Sequence, residues 1–161
     1  MKRFLNIRPA VQGDEALVLT LILELAEYER ALNEVQADSG AIAAALFGEN
    51  PRAFCEIAEW DGVPAGFALW FYNFSTWRGS HGIYLEDLYV RPDLRGRGIG
   101  KALLVHLAKR AVSEGCGRFE WAVLNWNTPS IDFYKSLGAE PMSEWTRYRL
   151  TGDALAKLAN A

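Results

Sequence analysis

The sequence predicts an α+β fold in a single domain spanning 1–161. Three observations carry that prediction. Strand-like runs come early and in hairpin order, with Asp61-Gly62 between two of them. A strand, a Gly-rich turn and a long amphipathic helix then occupy 83–114, and another strand-like run follows, which makes a β-α-β unit. No repeat, low-complexity tract or linker marks a domain boundary. The order of elements reads βααβββαβαβ.

Each element has its own signal. Phe4 to Arg8 alternates apolar and polar residues and stops at Pro9, which is the pattern of a first strand. Asp14 is placed to cap a helix running to Glu29, with Leu17, Leu21, Leu25 and Tyr28 as its apolar face and Val18 and Ile22 beside it. Ala31 to Ala37 connects without a clear period. Asp38 or Ser39 starts a second short helix with Ile42, Leu46 and Phe47 inward, and Gly48 stops it. Ala53 to Trp60 and Ala65 to Phe74 are the strands on either side of Asp61-Gly62. Ser75 to Gly82 reads as a loop with Trp77, Arg78 and His81, and Ile83 to Val90 as the next strand. Ile99 to Glu114 is a helix with Leu103, Leu104, Leu107 and Val112 apolar, ended by Gly115 and Gly117. Arg118 to Leu124 is a strand and Asn125-Trp126-Asn127 a loop. Thr128 caps a helix with Pro129 in its first turn, which runs through Phe133 and Tyr134 to Leu137 before Gly138. Glu144 to Leu150 is the last strand, and Thr151 to Leu158 a short terminal helix.

Composition narrows the function classes. At 161 residues, half of them hydrophobic, the chain can bury a real core and is not of disordered type. A net charge of −3 gives no reason to expect nucleic acid as a partner. The basic residues between Arg91 and Lys101 are a local patch in an acidic chain, which suits a small anion better than a long polyanion. Cys55 and Cys116 show no metal spacing and read as free thiols of a reducing compartment. Met1-Lys2-Arg3-Phe4 has no apolar leader region, and no apolar run reaches membrane-spanning length. A cytoplasmic protein with no membrane or metal is the expectation.

The most informative stretch is Tyr84-Leu85-Glu86-Asp87-Leu88-Tyr89-Val90, followed by a turn holding Arg95-Gly96-Arg97-Gly98-Ile99-Gly100-Lys101. Glycines let a backbone approach a ligand closely, and a helix start offers unpaired N–H groups and the positive end of the macrodipole. Together these make an anion site, most naturally for phosphate or pyrophosphate. A Walker A loop needs Ser or Thr after its lysine, and Ala102 follows Lys101. A dinucleotide loop needs G-x-G-x-x-G, and the glycines here are too closely spaced. The spacing that fits is R-x-x-G-x-G, at Arg95, Gly98 and Gly100. The plain alternative is a Gly-rich turn with a solvated basic face.

This loop resembles the coenzyme A loop of the GNAT N-acetyltransferase superfamily. Downstream, Asn127-Thr128-Pro129-Ser130-Ile131-Asp132-Phe133-Tyr134-Lys135-Ser136-Leu137-Gly138-Ala139 is similar to the superfamily's second signature. Within it the similarity is greatest to the diamine branch, the spermidine/spermine and thialysine N-acetyltransferases. It covers nearly the whole chain and includes Ile7-Arg8-Pro9-Ala10 and Glu24-Leu25-Ala26-Glu27-Tyr28-Glu29. The resemblance implies a mixed, mostly antiparallel sheet of six to seven strands with helices on both faces. The strands holding 83–90 and 118–124 would be adjacent and splayed, with acetyl-CoA entering between them. It carries cofactor contacts onto Leu88, Tyr89, Val90, Arg95, Gly96, Arg97, Gly98, Ile99, Gly100, Lys101, Asn127, Thr128, Pro129 and Ser130. It carries substrate contacts onto Tyr28, Glu29 and Glu86. It also implies a homodimer.

Acetyl transfer to an amine requires the amine to lose a proton, since an alkylamine has a pKa near ~10. It also needs a donor for the thioester oxygen and a proton for the leaving thiolate. The resemblance assigns the first role to Glu86, directly or through water, and the last to Tyr134. The bland readings are a solvated strand carboxylate and an amphipathic core tyrosine. Strand alternation puts Asp87 on the face opposite Glu86, as a structural residue. An extended pantetheine arm would add along Leu88 to Val90 like another strand. His81 and His106 lack partners for nucleophilic work.

The connector Glu29-Arg30-Ala31-Leu32-Asn33-Glu34 carries a cation where the polyamine acetylators are rich in carboxylates. A long polycation gains less there, which favours a shorter primary amine such as a lysine-like amino acid or its thia-analogue. The alternatives are a protein N-terminus, a lysine or an antibiotic amine as acceptor, or a non-catalytic acyl-CoA sensor.

Overall fold

Asp61 and Gly62 have φ of 50° and 79°, the doubly positive pair of a type I′ turn, whose twist matches that of the strands it joins. In the computed structural model, which describes residues 4–161, this turn links β2 (Phe54–Trp60) to β3 (Val63–Ser75). Met1 to Arg3, the start of the segment read as lacking a leader, lie outside the described residues. The chain falls into two compact units, one ending at Ala122 and the other running Val123–Ala161.

The first unit holds a five-stranded sheet in chain order: β1 (Leu5–Pro9), β2, β3, β4 (Ser80–Val90) and β5 (Phe119–Trp121). The first four strands are antiparallel to their neighbours, and β5 runs parallel to β4. The parallel step is made by α3 (Ile99–Ser113). α1 (Glu15–Tyr28) and α2 (Ser39–Phe47) fill the connection from β1 to β2.

Strand alternation decides which face each helix covers. Cys55 and Ile57 of β2 join Phe67 and Tyr89 in a core with Val18, Leu21 and Leu25 of α1 and Ile42 and Leu46 of α2. Glu56, between them in sequence, instead meets His106 and Arg110 of α3. The apolar row of α3 advances four residues at a time, through Ile99, Leu103, Leu107 and Ala111. Val112 falls off that row and is 80% exposed, contrary to the sequence reading, and Ala111 takes its place. Truncating Leu103 or Leu107, both fully buried, costs about 2–5 kcal/mol.

Several boundaries move for physical reasons. Asp14 sits at the N-cap of α1 without capping it. Its carboxylate takes Arg8 at 2.7 Å and the Val11 N–H at 2.8 Å. Asp38 does cap α2, accepting from the Ala41 N–H at 2.8 Å. Gly48 ends α2 in an extended conformation, and a Cβ there would strike the Ala44 carbonyl oxygen, so the position requires glycine. The loop read at Ser75 to Gly82 shrinks to a turn, since Ser75 pairs with Ser80 and Phe74 with His81. β5 stops at Trp121, where its pairing with β4 ends.

The second unit contains α4 (Thr128–Ser136) and α5 (Gly152–Ala159). Asn127, not Thr128, caps α4: its side chain accepts from the Ser130 N–H at 3.4 Å, and Thr128 is already helical. Residues 144–150, read as a strand, form none, and all seven are exposed. Their alternation is a local pattern, whereas a strand exists only by its ladder. The described sheet therefore has five strands, where the resemblance implied six to seven.

Candidate active site

The candidate site is built on β4. Its first half is flanked on both sides: Ile83, Tyr84 and Leu85 pair with Tyr72, Phe71 and Trp70 of β3 and with Phe119, Glu120 and Trp121 of β5. Beyond Leu85 the β5 ladder ends, and among the described residues Glu86 to Val90 makes strand pairs with β3 alone. The two parallel strands thus part as the resemblance implied. An open run of strand backbone is left leading into the Gly-rich turn.

Where they part, β4 carries a bulge. Leu69 opposes Asp87 and the next residue, Trp70, opposes Leu85, so Glu86 is the extra residue. A bulge breaks the alternation of the strand and re-aims side chains. This corrects the expectation that Asp87 looks away from the cleft. Asp87 lies opposite Leu69, and Leu69, Phe67 and Tyr89 all belong to the core on the α1 and α2 side; directly opposed residues share a face. Glu29, just past the end of α1, lies on that side too. The three carboxylates feel one another. Burial, then Glu86 and Glu29, push the Asp87 carboxyl up to about 7. Burial and Glu86 raise Glu29. Glu86 itself is exposed. The arrangement is a partly dry acidic wall with one accessible carboxylate, suited to an ammonium and to removal of its proton.

The turn after β4 is shaped by local backbone demands. Pro92–Leu94 forms one 3-10 turn. Gly96 and Gly98 then have φ of 74° and 78°, and Gly98 is the N-cap of α3 with no side-chain cap. With Gly at the cap, the first N–H groups of α3 have no intrahelical acceptor and remain available to an anion. Gly100 differs from these two. A Cβ on it would make only ordinary contact with Val90, at 3.7 Å, so the fold does not demand glycine there. Gly66 supports the end of β4 from behind, since a Cβ would collide with the Tyr89 carbonyl.

Two basic residues of the turn, Arg95 and Arg97, also contact the protein itself. The Arg95 Nε donates to the Val90 carbonyl at 2.9 Å. Its guanidinium lies 4.9 Å from the Tyr28 ring and 5.7 Å from Tyr89. It ties the turn to the end of α1, a link spanning most of the unit that no sequence signal announced. Arg97 lies over Trp60 at 5.5 Å, and Lys101 is exposed. Arg91 clamps Glu24 of α1 with two hydrogen bonds, at 2.9 and 3.1 Å. Tyr28 and Glu29 are thereby held beside β4, and both were singled out by the resemblance.

In the second unit, α4 carries Tyr134, half-buried, with the Phe133 ring 5.7 Å away. Asn127 is buried, Thr128 and Pro129 form the first turn, and the Ser130 N–H is taken by Asn127. His81 is a strand residue edge-on to Phe74, and His106 faces Glu56 at 3.6 Å. Burial pushes the Cys55 thiol up to about 12, which removes it as a nucleophile. Among the described residues no group of His, Cys, Asp and Glu could hold a metal ion.

An open strand edge, a bulge and a glycine-capped helix start, in that order, define a class. The family model for the Acetyltransferase (GNAT) family matches residues 19–139, and the chain belongs to that family. It is an N-acetyltransferase. It is 40% identical over 167 residues to a thialysine N-epsilon-acetyltransferase of Bos taurus, covering 97% of this chain and 98% of the relative. Among solved structures it is similar to an integron cassette protein from V. cholerae, with a TM-score of 0.82, 29% identity and 98% of both chains covered. It also shares its fold with an aminoglycoside N-acetyltransferase solved with CoA, at a TM-score of 0.74 and 22% identity, covering 93% of this chain and 97% of the other.

Proposed function

We propose that the protein transfers the acetyl group of acetyl-CoA directly to the primary amine of a small molecule, a lysine- or thialysine-like amino acid or a short diamine. The observation that carries this reading is the loss of β5 from the side of β4 beyond Leu85. The backbone of Leu88, Tyr89 and Val90 is offered to the pantetheine arm as a neighbouring strand would be. The α3 start, with Gly96 to Lys101, takes the diphosphate, and Arg95 holds that turn against Tyr28. Asn127 to Ser130 complete the cofactor contacts by their match to the second family signature. Bound acetyl-CoA supplies an activated acyl carbon and a thiolate leaving group. The chain's own residues move the protons: Glu86 takes one from the ammonium, and Tyr134 delivers one to the departing sulfur. Tyr28 and Glu29 shape the amine's approach.

Asp87 supports a second assignment of the base. It is held near about 7, where a general base works best at neutral pH. A kcat/KM profile separates the two. A limb near pH 7 whose loss in Asp87→Asn comes with a fall in kcat on the order of 10²-fold assigns the proton to Asp87, and full turnover in that variant assigns it to Glu86.

The family match running across the boundary at Ala122 supports one catalytic domain. Met142, Trp145, Tyr148, Leu150, Leu155 and Leu158 of the second unit are all exposed. Apolar surface of that extent supports a homodimer, and sedimentation would show it as twice the chain mass. The free thiols Cys55 and Cys116 match a cytoplasmic setting, and no described helix is long and apolar enough to cross a membrane.

The test is release of free thiol from acetyl-CoA with thialysine, lysine, ornithine, putrescine and spermidine. The short amino acids should turn over faster than spermidine. Tyr134→Phe should lose on the order of 10²-fold in kcat while keeping acetyl-CoA affinity. Binding without turnover of any amine would reassign the chain as a sensor, and no acetyl-CoA binding at millimolar ligand would end the reading.

A further inference from the structure

Three helices end with the same pair of hydrogen bonds. At the close of α1 the Arg30 N–H donates to the Glu27 carbonyl and the Ala31 N–H to that of Ala26. At the close of α3, Gly115 and Cys116 repeat the pair onto Val112 and Ala111. At the close of α4, Gly138 and Ala139 repeat it onto Lys135 and Tyr134. This closure puts the first residue past the helix in the left-handed region, where glycine is the usual occupant. Gly115 and Gly138 have φ of 71° and 86°. Of the three, α1 alone carries a side chain at that position: Arg30, with φ of 60°.

A bulky residue is strained there, and glycine is not. Among the described residues Asp61 is the other non-glycine with positive φ, and its type I′ turn favours aspartate. Nothing comparable favours arginine. The Arg30 side chain is exposed, so core packing does not account for it either. Strain of this kind gathers at binding sites, where a side chain has a task. Arg30 directly follows Tyr28 and Glu29, and Glu29 is near enough to Glu86 to be raised by its charge. It therefore sets a guanidinium at the Glu29 end of an otherwise acidic wall. A diamine carries two ammonium groups and is repelled by that cation. An amino acid of the same length adds a carboxylate, which the wall repels and a guanidinium holds with two hydrogen bonds.

We propose that Arg30 binds the α-carboxylate of the acceptor and so selects amino acids over diamines of the same length. The assignment rests on acetyl transfer to a small amine, as proposed above.

The experiment compares lysine with cadaverine, and ornithine with putrescine, by release of free thiol from acetyl-CoA. The members of each pair differ only by the carboxylate. The wild-type protein should show kcat/KM at least about tenfold higher for the amino acid of each pair. Arg30→Gln keeps a strained side chain and loses the charge. It should raise KM for lysine and ornithine on the order of 10²-fold, as expected for a lost charge-assisted pair. It should not raise KM for the diamines or for acetyl-CoA. Arg30→Lys should recover most of the preference. Arg30→Gly should lose the preference as Arg30→Gln does, yet unfold at a higher urea concentration, because the left-handed backbone is relieved. An equal rise in KM for lysine and cadaverine overturns the proposal, as does a rise for acetyl-CoA. An Arg30→Gly midpoint below that of the wild type makes Arg30 a support of the fold and overturns it too. Turnover of the diamines alone overturns the assignment and leaves acetyl transfer to a small amine standing, whereas turnover of none of the four overturns both.

Discussion

The two halves of β4 have the same backbone and opposite uses. From Ser80 to Leu85 the strand is locked: β3 flanks it throughout, β5 joins it at Ile83, and Ile83 and Leu85 are buried. Gly82 is so tightly enclosed that a Cβ would meet the Arg118 carbonyl at 2.9 Å. From Glu86 to Val90 the β5 ladder is gone, a bulge interrupts the register, and the run opens with two carboxylates, Glu86 and Asp87. A strand with both edges paired contributes stability and can do little else. A strand with one edge free gives up ladder bonds and gains a docking edge with a re-aimed side chain. The split falls within one element, so stability and activity should be separable by substitutions a few residues apart.

The largest effect is expected in the closed half. Ile83→Ala removes a fully buried side chain between two strands and should cost about 2–5 kcal/mol, read as a lower midpoint in urea. Its KM for acetyl-CoA should be unchanged below the transition. In the open half, Glu86→Gln should do the reverse. The side chain is exposed, so the midpoint should hold, while kcat falls on the order of 10²-fold, about 2.7 kcal/mol of transition-state stabilisation. If both variants lose stability and activity together, the division of β4 is wrong.

Asp87, at the junction, belongs to both halves. Its carboxyl is raised in the folded protein to about 7, from 3.8. The protonated form is thus favoured by folding, and the unfolded chain loses its proton first as pH rises. The stability linked to Asp87 is therefore complete below pH 4 and drains away as pH climbs to about 7. Asp87→Asn should remove that decline and be the more stable protein at pH 8, by up to about 4 kcal/mol. Midpoints measured at pH 5 and pH 8 test it, and a variant no more stable at pH 8 would place the carboxylate in water. Asp14 and Glu59 have the opposite sign. Arg8 holds both below the usual carboxylate range, so their contribution is lost only on acidification.

Most of this architecture was legible because its determinants are local. Asp61-Gly62, Asp38 before α2 and the R-x-x-G-x-G turn each impose backbone angles or caps that neighbouring residues alone decide. What stayed hidden depends on partners far along the chain. The bulge at Glu86 exists only in the register of β3 against β4, so alternation read from β4 alone put Asp87 on the wrong face. Residues 144–150 alternate as a strand should, yet no ladder forms among the described residues. Arg95 was read as a phosphate ligand from its motif. Its stacking on Tyr28 needs α1 folded against β4, which no spacing in the sequence encodes.

The smallest effect tests why the open half ends in glycines. Gly98 has φ of 78°, where an L side chain is strained, so Gly98→Ala should cost about 1 kcal/mol and shift the first N–H groups of α3. Gly100 has a negative φ and room for a methyl group, so Gly100→Ala should keep the midpoint. If Gly100 serves close approach of the cofactor, its alanine variant raises KM for acetyl-CoA while leaving the KM of the amine alone. If Gly100→Ala instead loses stability and Gly98→Ala does not, the turn's shape is set by packing against Val90, and the open end of β4 is as structural as the closed one.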